Sequence, residues 1–152
     1  MGVVETTIVP PRAAHDHVTR TAIEGLAGKI AQSRVTTVVA PAGFGKTTAM
    51  LRWADLLADQ GRSVLWIAAR AGIDSLEDFA EALSRACAVA GLGMQTPDPR
   101  SWFVELGRRS GAAPILFIDD GQLLPQEVHD FIEQLIFSSR DGLTTVIASR
   151  GE

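Results

Sequence analysis

The sequence predicts an α/β fold of three layers, a parallel sheet with helices on both faces. Three observations lead there. Apolar β-branched runs alternate with stretches of helical period. The runs carry few charges, as strands covered on both faces do. The first of them, Val35 to Ala40, enters a glycine-rich turn that opens directly into a helix. With 152 residues, 46% hydrophobic and 21% charged, the chain fits one domain over 1–152 and has too much apolar content for disorder.

The elements follow in order. After the strand Val35 to Ala40, Thr47 to Gln60 places Met50, Trp53 and Leu57 on one stripe, and Gly61 ends the helix. Ser63 to Ala69 is a second strand. Ser75 with Asp78 three residues on marks a capped helix start, followed by Leu76, Phe79, Leu83 and Cys87 at helical spacing. Asp98-Pro99 opens another helix carrying Trp102, Phe103 and Leu106, which closes at Gly111. Pro114 to Ile118 is a third strand and ends in Asp119-Asp120. Val128, Phe131, Ile132, Leu135 and Ile136 form the clearest helical stripe, between Pro125 and Asp141-Gly142. Leu143 to Ala148 is the fourth strand. Right-handed crossovers then place a ligand at the carboxyl ends of the strands.

Composition excludes several classes. The net charge of -4 and the scattered fourteen Lys and Arg argue against direct nucleic-acid binding. No leader pattern or membrane span is visible, so a cytoplasmic protein is expected. Cys87 stands alone among apolar helix positions and reads as a buried inert thiol; His15 and His17 lack a third ligand and read as surface residues.

Ala40 to Thr47 fits the phosphate-binding pattern G-x-x-x-x-G-K-[ST], with alanine at the first glycine. Backbone N–H groups of Ala42, Gly43, Phe44 and Gly45, with the helix start behind them, would surround phosphate oxygens. Lys46 would neutralise the β and γ phosphates, Thr47 would hold Mg²⁺, and Thr48 would sit near the α phosphate. The strand Ile115 to Ile118 delivers Asp119 to bind Mg²⁺ through water and Asp120 to orient or deprotonate an attacking water. If the fourth strand lies beside the first, Arg150 emerges near the γ phosphate, where a cation tells triphosphate from diphosphate. The ligand expected from these residues is therefore a nucleoside triphosphate with Mg²⁺.

Together APAGFGKTT (Ala40 to Thr48), the strand with Trp66, the pair Asp119-Asp120 and Ala148-Ser149-Arg150 resemble the nucleotide-binding domain of the STAND signal-transduction ATPases, particularly the large LuxR-type regulators that include the maltose-regulon activator. The likeness spans roughly Pro10 to Arg150. It implies a P-loop NTPase domain, and Pro10-Pro11 with Val18-Thr19-Arg20 looks similar to the stretch that borders adenine, which implicates Arg20. Where that family often has Tyr-His after the acidic pair, this chain has Gly121-Gln122.

Members of that family continue with a fifth core strand, a helical lid, a sensor and a DNA-binding helix-turn-helix. On that comparison the fifth strand is expected to be missing, the chain being a fragment, a truncated product or one that borrows its edge strand from a partner, and Val35 to Ala40 would form an uncovered edge that further domains or a protein partner would cover. The resulting expectation is an ATP-binding switch module of a transcriptional regulator with slow hydrolysis. The rivals are a small-molecule kinase, a stand-alone P-loop ATPase, or an interaction module that keeps the fold without nucleotide.

Overall fold

The computed structural model describes residues 5–8, 26, 28, 30, 35–40, 46–91, 114–138 and 144–150. Among the described residues five strands, β1 (Glu5–Ile8), β2 (Val35–Ala40), β3 (Val64–Ala68), β4 (Ile115–Asp119) and β5 (Thr144–Arg150), form one sheet in the order β1-β2-β5-β4-β3. Every pairing is parallel. Helices α1 (Lys46–Asp59), α2 (Leu76–Val89) and α3 (Gln126–Ser138) connect or flank the strands, with short 3₁₀ turns at Ala69–Ala71 and Gly121–Leu123.

Successive strand residues point to opposite faces, and the core divides accordingly. On one face Val38, Ile115, Phe117, Val146 and Ala148 meet Ala49, Met50, Trp53 and Leu57 of α1, together with Ile30. On the other, Leu65, Ile67, Leu116 and Ile118 meet Phe79, Leu83 and Cys87 of α2 and Val128, Phe131, Ile132 and Leu135 of α3. This is the three-layer sandwich that the alternation of elements predicts. Trp66 and Phe117, register partners on β3 and β4, stack at 5.7 Å. Phe79 and Phe131 join α2 to α3 edge to face at 6.1 Å.

Most element boundaries agree within a residue or two, while α3 is described only to Ser138, short of the expected close at Asp141-Gly142. The Ser75 side chain caps α2 by accepting from the Asp78 N–H at 3.1 Å, as its spacing predicts. A second bond ties α2 to α3, because the Leu76 N–H donates to Glu127 Oε1 at 3.1 Å. The helix predicted from Asp98-Pro99 lies outside the described residues. Among the described residues no helix is long and apolar enough to cross a membrane.

The uncovered edge expected at Val35 to Ala40 is corrected by the sheet. β1 lies there, with Glu5 opposite Val35 and Ile8 opposite Val38. The physical reason is legible afterwards: Val3, Val4, Thr6, Thr7, Ile8 and Val9 make a β-branched run, and Pro10-Pro11 ends it. A strand from the start of the chain fills the position assigned to a missing fifth strand.

Candidate functional site

Sheet order builds the site. β5 lies between β2 and β4, so the carboxyl ends of these three strands come together at one sheet edge. Ala40 and Arg150 are register partners at that edge, so β5 does lie beside the strand that leads into the glycine turn. Lys46 is the first residue of α1. Thr47 and Thr48 follow it, exposed on the first turn, while Ala49 and Met50 anchor the helix in the core. Ala42, Gly43, Phe44, Gly45 and Arg20 lie outside the described residues.

The central contact joins α1 to β4. Thr47 Oγ1 donates to Asp119 Oδ2 at 2.8 Å, across 72 positions of sequence. Asp119 is only 7% exposed at the end of a strand whose other residues are all buried. Its second oxygen, Oδ1, accepts the backbone N–H of Asp120 at 2.9 Å, which fixes the carboxylate plane and leaves Oδ2 to Thr47. The donor set suits magnesium, which takes hard oxygen ligands. Adjacent ligands in an octahedron with bonds of ~2.1 Å stand about 3 Å apart, close to the Thr47–Asp119 spacing. Among the described residues no group of three or more His, Cys, Asp or Glu could hold a metal. A magnesium–phosphate site does not need one, since waters and phosphate complete the shell.

Asp120 turns the chain off β4. Its backbone is left-handed, φ 56° and ψ 45°, a conformation that aspartate tolerates better than most residues. Its Oδ2 accepts from Arg70 Nε at 2.9 Å and its Oδ1 from Gln122 Nε2 at 3.4 Å. Gly121 then passes close over β5. A Cβ there would lie 2.5 Å from Ile147 Cγ2 and 3.3 Å from the Ala148 carbonyl oxygen, so only glycine lets the turn sit this low.

Arg70 is the residue that sequence reasoning missed. A signal existed in Ala68-Ala69-Arg70-Ala71-Gly72, one cation among small residues just after a strand at the same sheet edge as the acidic pair.

A strand, a glycine-rich segment of sequence, a helix whose first turn carries Lys-Thr, and a strand of the same sheet ending in aspartate define the class: a P-loop NTPase domain. Residues 1–90 match the model of the family Novel STAND NTPase 5, and the chain belongs to that family. No curated protein is matched significantly. Among solved structures the chain is similar to Cdc6p from Pyrobaculum aerophilum, with a TM-score of 0.63 and 16% identity over 95% of this chain and 41% of that one. A Drosophila ORC chain, solved bound to DNA, gives a TM-score of 0.63 and 13% identity over 95% of this chain and 40% of that one. At these identities the likeness is one of fold. The chain spans about two fifths of the length of either. Family membership makes it a nucleotide-binding module of the STAND kind.

Proposed function

We propose that the chain is an ATP- and Mg²⁺-binding switch module of a signal-transducing regulator, one that hydrolyses ATP slowly. The observation that carries this reading is the Thr47–Asp119 contact, a hydroxyl at a helix start and a buried strand-end carboxylate held 2.8 Å apart. Thr47 is exposed, and the apolar residues of β4 pack in the core on both faces of the sheet.

In this reading backbone N–H groups of Ala42, Gly43, Phe44 and Gly45 and the amino end of α1 bind phosphate oxygens. Lys46 neutralises charge on the β and γ phosphates, Thr48 serves the α phosphate, and Arg20 borders the base. Thr47 Oγ1 and Asp119 Oδ2 hold Mg²⁺. When bound, that ion neutralises charge developing between the β and γ phosphates. Asp120 orients the attacking water, and Arg150, beside Ala40 at the end of β5, senses the γ phosphate.

The finer assignment, a transcriptional regulator of the LuxR type, is supported by the pattern from Ala40 to Thr48 with Asp119-Asp120 and Ala148-Ser149-Arg150. Titration with ATP and ADP, with and without Mg²⁺, tests the module, followed by a turnover assay on the same sample. Mg²⁺-dependent binding with slow phosphate release supports the switch. Absence of nucleotide binding overturns it.

A further inference from the structure

We propose that the outer edge of β3 is a docking site for an extended segment of another protein, which adds to the sheet as a strand beside Val64–Ala68 and brings an acidic side chain to Arg85. The inference does not depend on the nucleotide reading. β3 is last in the sheet order, with β4 on one side and no strand on the other among the described residues. The Ile115 N–H donates to the Ser63 carbonyl at 2.8 Å, which sets the alternation of the ladder. Ser63, Leu65 and Ile67 turn their backbone groups to β4, so Val64, Trp66 and Ala68 turn theirs outward. An open edge of this kind is a template for another strand, and proteins blunt it with a charge, a proline or a bulge. The stretch VLWIA has no charge and no proline, and its register with β4 runs without a bulge.

The edge is also a groove. Val64, Trp66 and Ala68 line one side, and Ala82, Ala86 and Val89 of α2 line the other. Leu65 and Ile67 are buried, but Val64 and Trp66 are only half-buried and Ala68 is exposed. Val89 is 90% exposed, so the helix side offers apolar surface as well. Ala82 and Ala86 stand one helical turn apart, and their short side chains leave space for a strand against the helix. Side chains of an added strand alternate: one set packs on Ala82, Ala86 and Val89, and the other continues the face that carries Trp66. A compact ligand would use the apolar walls but not the row of outward N–H and C=O groups. An extended backbone uses both. Charge then selects the segment. Arg85 lines the same groove, is exposed, and is the one charged residue in the second half of α2, whose acids Glu77, Asp78 and Glu81 precede it. An acidic side chain on the docked strand meets Arg85, and a basic one is repelled.

The test uses the full chain and the peptide acetyl-Glu-Thr-Val-Thr-Val-Thr-Glu-amide, whose valines and glutamates share one face of a strand. Amide hydrogen exchange read by NMR should slow on peptide addition at Val64, Trp66 and Ala68 and stay unchanged at Leu65 and Ile67, whose N–H groups already serve β4. Fluorescence anisotropy should favour this peptide about 2- to 5-fold over one with lysine at both ends, and Arg85→Glu should invert the preference. Absence of binding overturns the proposal, as does binding that leaves exchange at those three amides unchanged. Equal affinity for the two peptides in both wild type and Arg85→Glu also overturns it. So does protection of the three amides in the chain alone: protection lost on dilution gives the edge to a second copy, and protection that persists gives it to a segment of this chain.

Discussion

Thr47 on the first turn of α1 donates its hydroxyl hydrogen to Asp119 at the end of β4, 2.8 Å away. The pair brings together the two segments that the sequence marks most strongly for phosphate chemistry.

Thr47→Ala and Asp119→Asn should each weaken ATP binding at least ~10-fold when Mg²⁺ is present and little in EDTA, the size expected when a metal site loses a supporting group. The double variant should be no worse than the poorer single one, because both act through one contact. Isothermal titration under the two conditions provides the check. Equal losses with and without metal would remove the magnesium assignment.

Lys46→Ala should abolish ATP binding and leave the fold intact. Lys46 opens α1 ahead of the residues that anchor it, Ala49, Met50 and Trp53. Titration alongside thermal melting decides the matter, and normal affinity in a folded variant would sink the assignment.

Turnover of the wild-type chain should stay below about one per second, the low end of ordinary enzymes. An aspartate at position 120 sets its carboxylate back by about one carbon–carbon bond relative to glutamate, and misplacement of ~1 Å can cost ~10²-fold. Asp120→Glu should therefore alter the rate. Phosphate release under multiple turnover reads both, and an unchanged rate in Asp120→Glu takes Asp120 out of the mechanism.

Thr36→Val and Thr145→Val should each stabilise the fold by about 1 kcal/mol, since burying a hydroxyl without a partner costs roughly that or more. Both hydroxyl oxygens are buried without a hydrogen-bond partner among the described residues. Thr145 pairs with Val35 and Thr36 with Val146, consecutive register positions, so the two threonines face opposite sides of the sheet and their effects should add. Urea midpoints of the singles and the double variant test this.

Burial pushes the Cys87 thiol from 9.0 up to about 11. The folded chain therefore holds its proton where the unfolded chain has released it. Its contribution to stability is complete below pH 9 and is lost as pH rises from 9 to about 11. The stability difference between wild type and Cys87→Ala should shrink over that window. A difference that is flat from pH 7 to 11 would show the thiol to be accessible.

Much of this fold was legible because its signals are periodic. The stripe from Val128 to Ile136 marks α3, and the apolar run Ile115 to Ile118 marks a strand covered on both faces, which is where they lie. β1 was not read, although the run Val3 to Val9 carries the β-branched signal, because an extended stretch at the start of a chain does not announce that it pairs beside a strand some thirty residues on. At the site, Thr47 and Asp119 could be named because a helix start and a strand end occupy fixed places in the fold. The pairing of Arg70 with Asp120 depends instead on the parallel register that sets Ala68 beside Asp119, and on a left-handed turn at Asp120. Neither leaves a period in the sequence.

The position of β5 between β2 and β4 also sets a timetable for folding. As the chain is synthesised, β2 can pair early with β1, and β3 with β4 once β4 has emerged, but the two halves of the sheet stay separate until Thr144 to Arg150 arrives between them. Long-range parallel pairing of this kind is the slow step of assembly. Thr47 and Asp119 belong to different halves, so a nascent chain that has already made its glycine loop and its acidic pair holds them apart until the last of these strands is in place.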